Sequence, residues 1–330
     1  MISVVVPVYN EQENLPLLHA RLQKTMASLG RPYEIVFVDD GSRDRSLAIL
    51  KEFTGSPGVR VVELTRNYGQ HPAIFSGFSI VRGEIVVTID ADLQNPPEEI
   101  PRLVQAMEEG NYEVVGSVRS FRQDPLIRTI PSKLVNMATR RITGVRMTDG
   151  GCMLRAYQRE VVDRMVASQE HSTFIPALAT LYAKRMTEIP VEHEERHGGV
   201  SHYDLWKLLT LQFDLVTSFS EFPLKVLLTL GAGLSLAAAL FGAALFVFRF
   251  FYGAHWAGEG VFTLFAILFF FVGALFFAMG IMGQYVGRIY HEVRKRPSYT
   301  IRTVHEGPPG REASASREAS ARASNPAPGK

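Results

Sequence analysis

The chain has 330 residues, 35 Lys and Arg against 33 Asp and Glu, and a formal net charge of +2. That balance, with basic residues scattered rather than striped, gives no strong case for a nucleic-acid partner. The single cysteine, Cys152, excludes an internal disulfide framework and suits a reducing compartment. Hydrophobic residues make up 46% of the chain, and the long apolar runs crowd into residues 224–283. No basic region or cleavage site marks the N-terminus as a secretion signal, and the apolar run Ile2–Val8 is too short to act as one.

In chain order, Ile2–Val8 is a β-branched run that predicts a buried parallel strand ending at Tyr9-Asn10. Leu15, Leu18, Leu22 and Met26, three or four apart, predict an amphipathic helix. Further strands are predicted at Glu34–Val38, Val59–Leu64, Glu84–Ile89 and Tyr112–Val118. Between the last two, Asn95 is placed to cap a helix with Pro96 in its first turn. This alternation predicts an α/β domain with a mostly parallel, doubly wound sheet, in which ligands bind beyond the carboxyl ends of the strands.

Tyr203–Phe222 carries Leu205, Leu208, Leu209, Phe213 and Val216 on one helical face, suited either to a membrane surface or to packing on the sheet. Val226–Phe248 and Val261–Met282 contain no charged residue. At about 1.5 Å per residue, helices of that length cross a hydrocarbon core of about 30 Å. Arg249, His255 and Glu259 are assigned to the loop between them, and Arg288, Arg294, Lys295 and Arg296 follow. By the positive-inside rule both outer flanks are cytoplasmic, and the α/β domain with them. After Gly307 the chain is rich in Ala, Ser, Pro and Arg, and is expected to be disordered.

The strongest chemical signal is Asp90-Ala91-Asp92-Leu93-Gln94, following a predicted strand. Alternation at a strand end would turn Asp90, Asp92 and Gln94 toward one face. Such an oxygen-rich set suits Mg²⁺ or Mn²⁺, kept partly hydrated and completed by substrate phosphates. Asp39-Asp40-Gly41-Ser42 follows another strand, where carboxylates can accept from a nucleobase or ribose, although Asp-Gly is also a common turn pair. Tyr9, in Pro7-Val8-Tyr9-Asn10-Glu11, is placed to cover a base. No G-x-G-x-x-G or G-x-x-x-x-G-K-[ST] follows the first strand, which argues against a dinucleotide enzyme or a P-loop NTPase. His71, His171, His197 and His202 lack zinc spacing and read as surface or loop residues.

Val-Pro-Val-Tyr-Asn-Glu, then Val-Asp-Asp-Gly-Ser, then Asp-Ala-Asp-Leu-Gln-Asn-Pro-Pro-Glu-Glu resembles the family 2 glycosyltransferases of the GT-A fold. Within these the chain is similar, from residue 2 to about 305, to the polyprenyl-phosphate glycosyltransferases. Three stretches are similar to the branch that moves 4-deoxy-4-formamido-L-arabinose from UDP to undecaprenyl phosphate in lipid A modification. They are Leu64-Thr65-Arg66-Asn67-Tyr68-Gly69-Gln70-His71, Gly151-Cys152-Met153-Leu154-Arg155-Ala156-Tyr157 and Gly258-Glu259-Gly260-Val261-Phe262. The resemblance implies a GT-A domain over residues 1–202, a juxtamembrane helix over 203–223, transmembrane helices at about 224–249 and 260–283, a cytoplasmic segment over 285–306 and a tail over 307–330.

It also implies roles. Pro7, Tyr9, Glu11, Asp39 and Asp40 would line the nucleotide pocket, with Asp90 at the ribose or phosphates. Asp92 and Gln94 would hold the metal, and Arg196 would close on the donor pyrophosphate. Arg119, Arg128 and Ser132 match positions that bind the acceptor phosphate, where guanidinium donors fork onto oxygen. Asp149 matches an acidic position that orients the acceptor or serves as a base. The implied enzyme is an inverting, metal-dependent transferase in the bacterial inner membrane, as a homo-oligomer, acting on a UDP-sugar and undecaprenyl phosphate. The same reaction with glucose, galactose or an N-acetylhexosamine is the alternative. A non-catalytic scaffold or lipid-sugar flippase is a second, disfavoured because the spans lack intramembrane ionisable residues.

Overall fold

The computed structural model describes residues 1–119, 152–168, 174–192, 222–252, 261–294 and 296–307. In chain order these form β1 (Ile2–Val8), α1 (Leu15–Ser28), β2 (Tyr33–Asp39), α2 (Ser46–Phe53), β3 (Val59–Leu64), α3 (Gln70–Phe78), β4 (Ile85–Thr88), a 3₁₀ turn (Pro97–Glu99), α4 (Ile100–Glu109) and β5 (Val114–Arg119). Then come β6 (Arg155–Gln158), α5 (Arg159–Ala167), α6 (Ile175–Tyr182), β7 (Met186–Val191), α7 (Phe222–Tyr252), α8 (Val261–Val293) and β8 (Ile301–Glu306).

The strands make one eight-stranded sheet in the order β7-β5-β6-β4-β1-β2-β3-β8. Strands β4, β1, β2 and β3 run parallel, and β5 pairs parallel with β7. β6 lies antiparallel between β4 and β5, and β8 antiparallel beside β3. The sheet is therefore mixed, with the parallel block at its centre.

Pleating divides β1 between two cores. Ile2, Val4, Val6 and Val8 join Leu15, Leu18, Leu22 and Met26 of α1, Leu50 of α2 and Leu103 of α4 in one buried cluster. Each such side chain stabilises the fold by about 1.5–3 kcal/mol relative to exposure. On the other face α3 lies so close that a Cβ on Gly77 would sit 2.5 Å from Cγ1 of Val5.

The end of the sheet where β1 begins is tied by a buried carboxylate. Glu34 accepts from Ser3 Oγ at 2.6 Å, from the Arg82 amide at 2.5 Å and from Arg60 Nη1 at 3.2 Å. A second set of charges fastens β8. Glu63, almost enclosed, meets Lys51 at 3.1 Å, Arg302 at 3.0 Å and His305 at 3.2 Å, while Glu306 reaches Arg60 and Arg82, each at 2.9 Å. Burial alone would raise the Glu63 pKa, but hydrogen bonds from Lys51, His305 and Arg302 outweigh it and hold the carboxyl below its ordinary value.

Helices α7 and α8 form a separate unit. They contain Pro223–Ala244 and Ile267–Gly287, with mean hydropathies of 2.0 and 2.1 and neither span buried. Leu228, Phe250, Phe269 and Phe277 are all exposed, a surface that suits hydrocarbon rather than water and marks this part of the chain as membrane-associated. Arg249 falls within α7, which runs on to Tyr252, and not in the loop expected from its charge. Near the end of an apolar helix a long basic residue is tolerated because such side chains can keep an apolar stem along the helix and carry the charge to water.

Asn95 does not cap a helix. Pro96 is extended (φ −62°, ψ 128°), α4 starts after the 3₁₀ turn, and the Asn95 side chain is buried, accepting from the Cys152 thiol at 3.3 Å.

Candidate active site

The parallel block delivers Val8, Asp39, Leu64 and Thr88 to one edge of the sheet. β5 runs in the same sense, so Arg119 ends at that edge, and antiparallel β6 begins there just after Cys152. β7, parallel to β5, also ends there. The segment from β5 to β6 contains Arg128, Ser132 and Asp149, and Arg196 follows β7; all four lie outside the described residues.

The turns after β1 and β2 are stitched together. The Asn10 amide donates to Ser42 Oγ at 3.1 Å, the Glu11 amide to Ser46 Oγ at 2.9 Å, and the Gln12 amide to Asp44 Oδ2 at 3.3 Å. In return the Arg43 and Arg45 amides donate to Asn10 Oδ1 and Gln12 Oε1. Pro7 is buried in β1, and Tyr9 stands 41% exposed beside this seam. Glu11 takes a 2.7 Å hydrogen bond from Asn14 Nδ2.

Asp39 and Asp40 behave differently. Asp40 accepts main-chain N–H bonds from Tyr68 at 2.7 Å and Gly69 at 2.8 Å, and so pins the turn after β3. Gly41 makes this approach possible, since at φ +68° a Cβ there would lie 2.6 Å from the backbone of Arg66 and Asn67. Asp39 is 1% exposed, accepts from the Ser42 amide through Oδ2 at 3.3 Å, and has Oδ1 buried without a partner. Burial raises its pKa, with Glu63 adding to the effect and bonds from Ser42 and Gly41 opposing it.

Asp90, Asp92 and Gln94 do not alternate along a strand. β4 stops at Thr88 and they occupy a turn in which Leu93 adopts φ 61°. The Leu93 side chain is 1% exposed, so the turn is anchored in the core while Asp92 and Gln94 stay partly open. Asp92 Oδ1 accepts from the Gln94 amide at 3.2 Å. Beneath the turn, Asn95 meets Cys152, whose Sγ lies 2.8 Å from Ser117 Oγ. Gln70, at the start of α3, donates from Nε2 to Asp90 Oδ1 at 2.5 Å.

His71 is no surface histidine. It packs edge-on to Phe174 at 5.2 Å, and burial pushes its pKa down to about 4, leaving it neutral. His171, His197 and His202 lie outside the described residues. Among the described residues no three or more His, Cys, Asp or Glu side chains gather for a metal ion.

The sequence profile of Glycosyl transferase family 2 matches residues 3–166, which carry this edge. A relative from Yersinia enterocolitica named undecaprenyl-phosphate 4-deoxy-4-formamido-L-arabinose transferase is 51% identical over 92% of this chain and 93% of its own length. The chain belongs to glycosyltransferase family 2.

A protein of the same name from Pseudomonas syringae is 52% identical to this family 2 transferase, over 92% of this chain and 90% of the relative. Among solved structures, glucosyl-3-phosphoglycerate synthase from Mycobacterium tuberculosis matches with a TM-score of 0.46 and 19% identity, over 66% of this chain and 80% of that one. Sequence reasoning missed Ser42, Asp44, Ser46 and Gln70, because each acts through a partner at least twenty positions away that no local pattern reveals.

Proposed function

We propose that this family 2 transferase moves 4-deoxy-4-formamido-L-arabinose from its UDP-sugar to undecaprenyl phosphate at a membrane surface. The observation that carries the reading is identity of 51% and 52% over 92% of the chain to proteins bearing that name. Its test is a panel of labelled UDP-sugars incubated with the purified full chain and undecaprenyl phosphate. Lipid-linked product from the formamido-arabinose donor is expected; product from UDP-glucose alone would overturn the sugar assignment.

The donor nucleotide is assigned to the stitched turns. Tyr9, exposed there, is assigned to the base, and the partnerless Asp39 Oδ1 is an acceptor suited to a base or ribose N–H or O–H. Asp39→Asn separates binding from stability. A carboxyl whose folded pKa is raised holds its proton longer in the folded state. Its ionisation therefore costs stability as pH rises from the ordinary carboxylate value through the raised one, and the full cost persists at neutrality. The variant is expected to melt higher than the parent at pH 7 while its UDP dissociation constant rises about 10–100-fold. Calorimetry and thermal unfolding on one preparation check both.

A divalent ion, Mg²⁺ or Mn²⁺, fits the Asp92–Gln94 corner. One carboxylate and one amide oxygen, both partly open, make a hard but incomplete set of the kind substrate phosphates complete. When bound, such an ion supplies charge neutralisation to the departing diphosphate. Asp90 is assigned to the ribose or phosphates. Arg119, Arg128 and Ser132 are assigned to the acceptor phosphate, Arg196 to the donor pyrophosphate, and Asp149 to acceptor orientation.

A phosphate monoester has a second pKa of about 6, so the acceptor is mostly dianionic near neutrality and needs little help from a base. Its oxygen attacks the anomeric carbon from the side opposite the nucleotide. The carbon–oxygen bond to UDP breaks, and the configuration inverts. β7 precedes and β8 follows the two apolar helices in the chain, and both belong to one sheet, which supports an even number of membrane crossings. The basic residues after α8 support cytoplasmic flanks.

A further inference from the structure

We propose that Asn95 is a positioning residue that ties the Asp92–Gln94 turn to β5 through the Cys152 thiol. The proposal rests on reading that turn as the divalent-ion corner. β4 ends at Thr88, so Asp92 and Gln94 lie beyond its ladder with β1, in a turn that side chains must hold. The buried Leu93 is one anchor. Asn95, directly after Gln94 and buried, is a second. Its Oδ1 accepts from the Cys152 thiol at 3.3 Å, and that sulfur lies 2.8 Å from Ser117 Oγ in β5. Cys152 and Ser117 are buried as well.

Cys152 can serve as a fixed post because the main chain around it is held from three strands. Arg155 Nε of β6 donates to Cys152 O at 2.9 Å. Thr88 Oγ1 of β4 donates to Met153 O at 2.5 Å, and Ser117 Oγ of β5 to Leu154 O at 2.6 Å. Since Ser117 directs its proton at Leu154, its oxygen can only accept from the thiol. The thiol proton therefore faces an oxygen of β5 and an oxygen of the turn.

β5 ends two residues after Ser117, at Arg119, assigned above to the acceptor phosphate. One buried contact thus joins the turn assigned to the ion to the strand that leads to an acceptor contact. Asn95 itself touches no substrate in this scheme. It sets where the Asp92 carboxylate and the Gln94 amide stand before the ion arrives, so that binding does not have to order them.

The full chain in detergent is titrated with UDP in the presence and absence of Mn²⁺, and bound Mn²⁺ is followed by its electron paramagnetic resonance signal. Asn95→Leu keeps the buried volume and removes the acceptor. It is expected to raise the UDP dissociation constant measured with Mn²⁺ about tenfold, leave the value without the ion within about twofold of the parent, and release Mn²⁺ into the free-ion signal. Cys152→Ala breaks the same bond from the other side and is expected to lose at least as much. Cys152→Ser, which keeps a proton to donate, should recover the affinity to within about threefold of the parent. In the Cys152→Ala background, Asn95→Leu should add no further loss. Leu22→Ala, a core truncation in α1, is the control: it is expected to lower the thermal midpoint and keep the gain from Mn²⁺.

A gain from Mn²⁺ left intact in Asn95→Leu, an equal loss with and without the ion, or a further loss when Asn95→Leu joins Cys152→Ala would each overturn the proposal alone. A parent that binds UDP equally with and without Mn²⁺ would overturn the reading of the turn as a metal corner, and the proposal with it. A parent whose gain from Mn²⁺ depends on Asn95 but that makes no formamido-arabinose lipid would overturn the sugar assignment and leave the role of Asn95 standing.

Discussion

Asp92→Asn is expected to lower sugar transfer by at least about 10²–10³-fold while leaving the fold intact, the range seen when one preorganised electrostatic contact to a developing charge is removed. The substitution is nearly isosteric. Asp92 is partly open and accepts a 3.2 Å bond from the Gln94 amide, which an asparagine oxygen can still accept. The turn itself is fixed by Leu93, buried in the core with a left-handed backbone, and by Asn95 against Cys152. What disappears is the negative charge that a hard divalent ion requires. UDP titrations with and without Mn²⁺ check this: the parent should bind more tightly with the ion, and the variant should lose that difference. A variant that transfers sugar at the parent's rate would refute the assignment and favour a non-catalytic role.

The second large effect concerns stability. Deleting residues 297–330 removes β8 and is expected to lower the thermal midpoint by on the order of 10 °C, with deletion of 308–330 alone as the control. β8 pairs with β3 from Arg60↔Glu306 to Leu64↔Ile301, and ladder bonds contribute about 0.5–1.5 kcal/mol each. The deletion also strips Arg302 and His305 from Glu63, whose side chain is only 8% exposed, leaving Lys51 as its partner in an ion pair among the described residues. Removing partners from a buried charge is costly. The sign with pH follows from the lowered Glu63 pKa. Its contribution is present above the ordinary carboxylate value and fades as pH falls through the lowered one. The gap between parent and deletion should therefore narrow in acid; equal midpoints at pH 7 would refute the role given to β8.

Some of this was legible in the residues. Ile2–Val8 and Val59–Leu64 are strands with the bounds their apolar runs predict, and the acidic clusters fall at the carboxyl ends of parallel strands. β6 was hidden because Arg155 is fully buried in it, a site a sequence pattern reads as surface. Gly116 opens the space, since a Cβ there would lie 3.0 Å from Arg155 Nη1. β7 contains Pro190, which demotes a strand reading, and pairs on one side with β5. β8 reads Ile-Arg-Thr-Val-His-Glu, too polar for a core strand, and is held instead through charge pairs with residues far away in the chain. Asp40-Gly41 does make a turn, as its composition suggests, but its carboxylate is committed to Tyr68 and Gly69, a contact no local rule supplies.

The position of β8 in the chain has a consequence for biosynthesis. The strand that closes the β3 edge is translated after both apolar helices. A nascent chain paused before that point carries an open strand edge, the kind of surface that recruits other strands. Completion of the sheet must wait for the two apolar helices to leave the ribosome. An N-terminal fragment expressed alone to obtain a water-soluble enzyme is therefore expected to aggregate unless residues 297–307 are supplied by fusion or as a peptide.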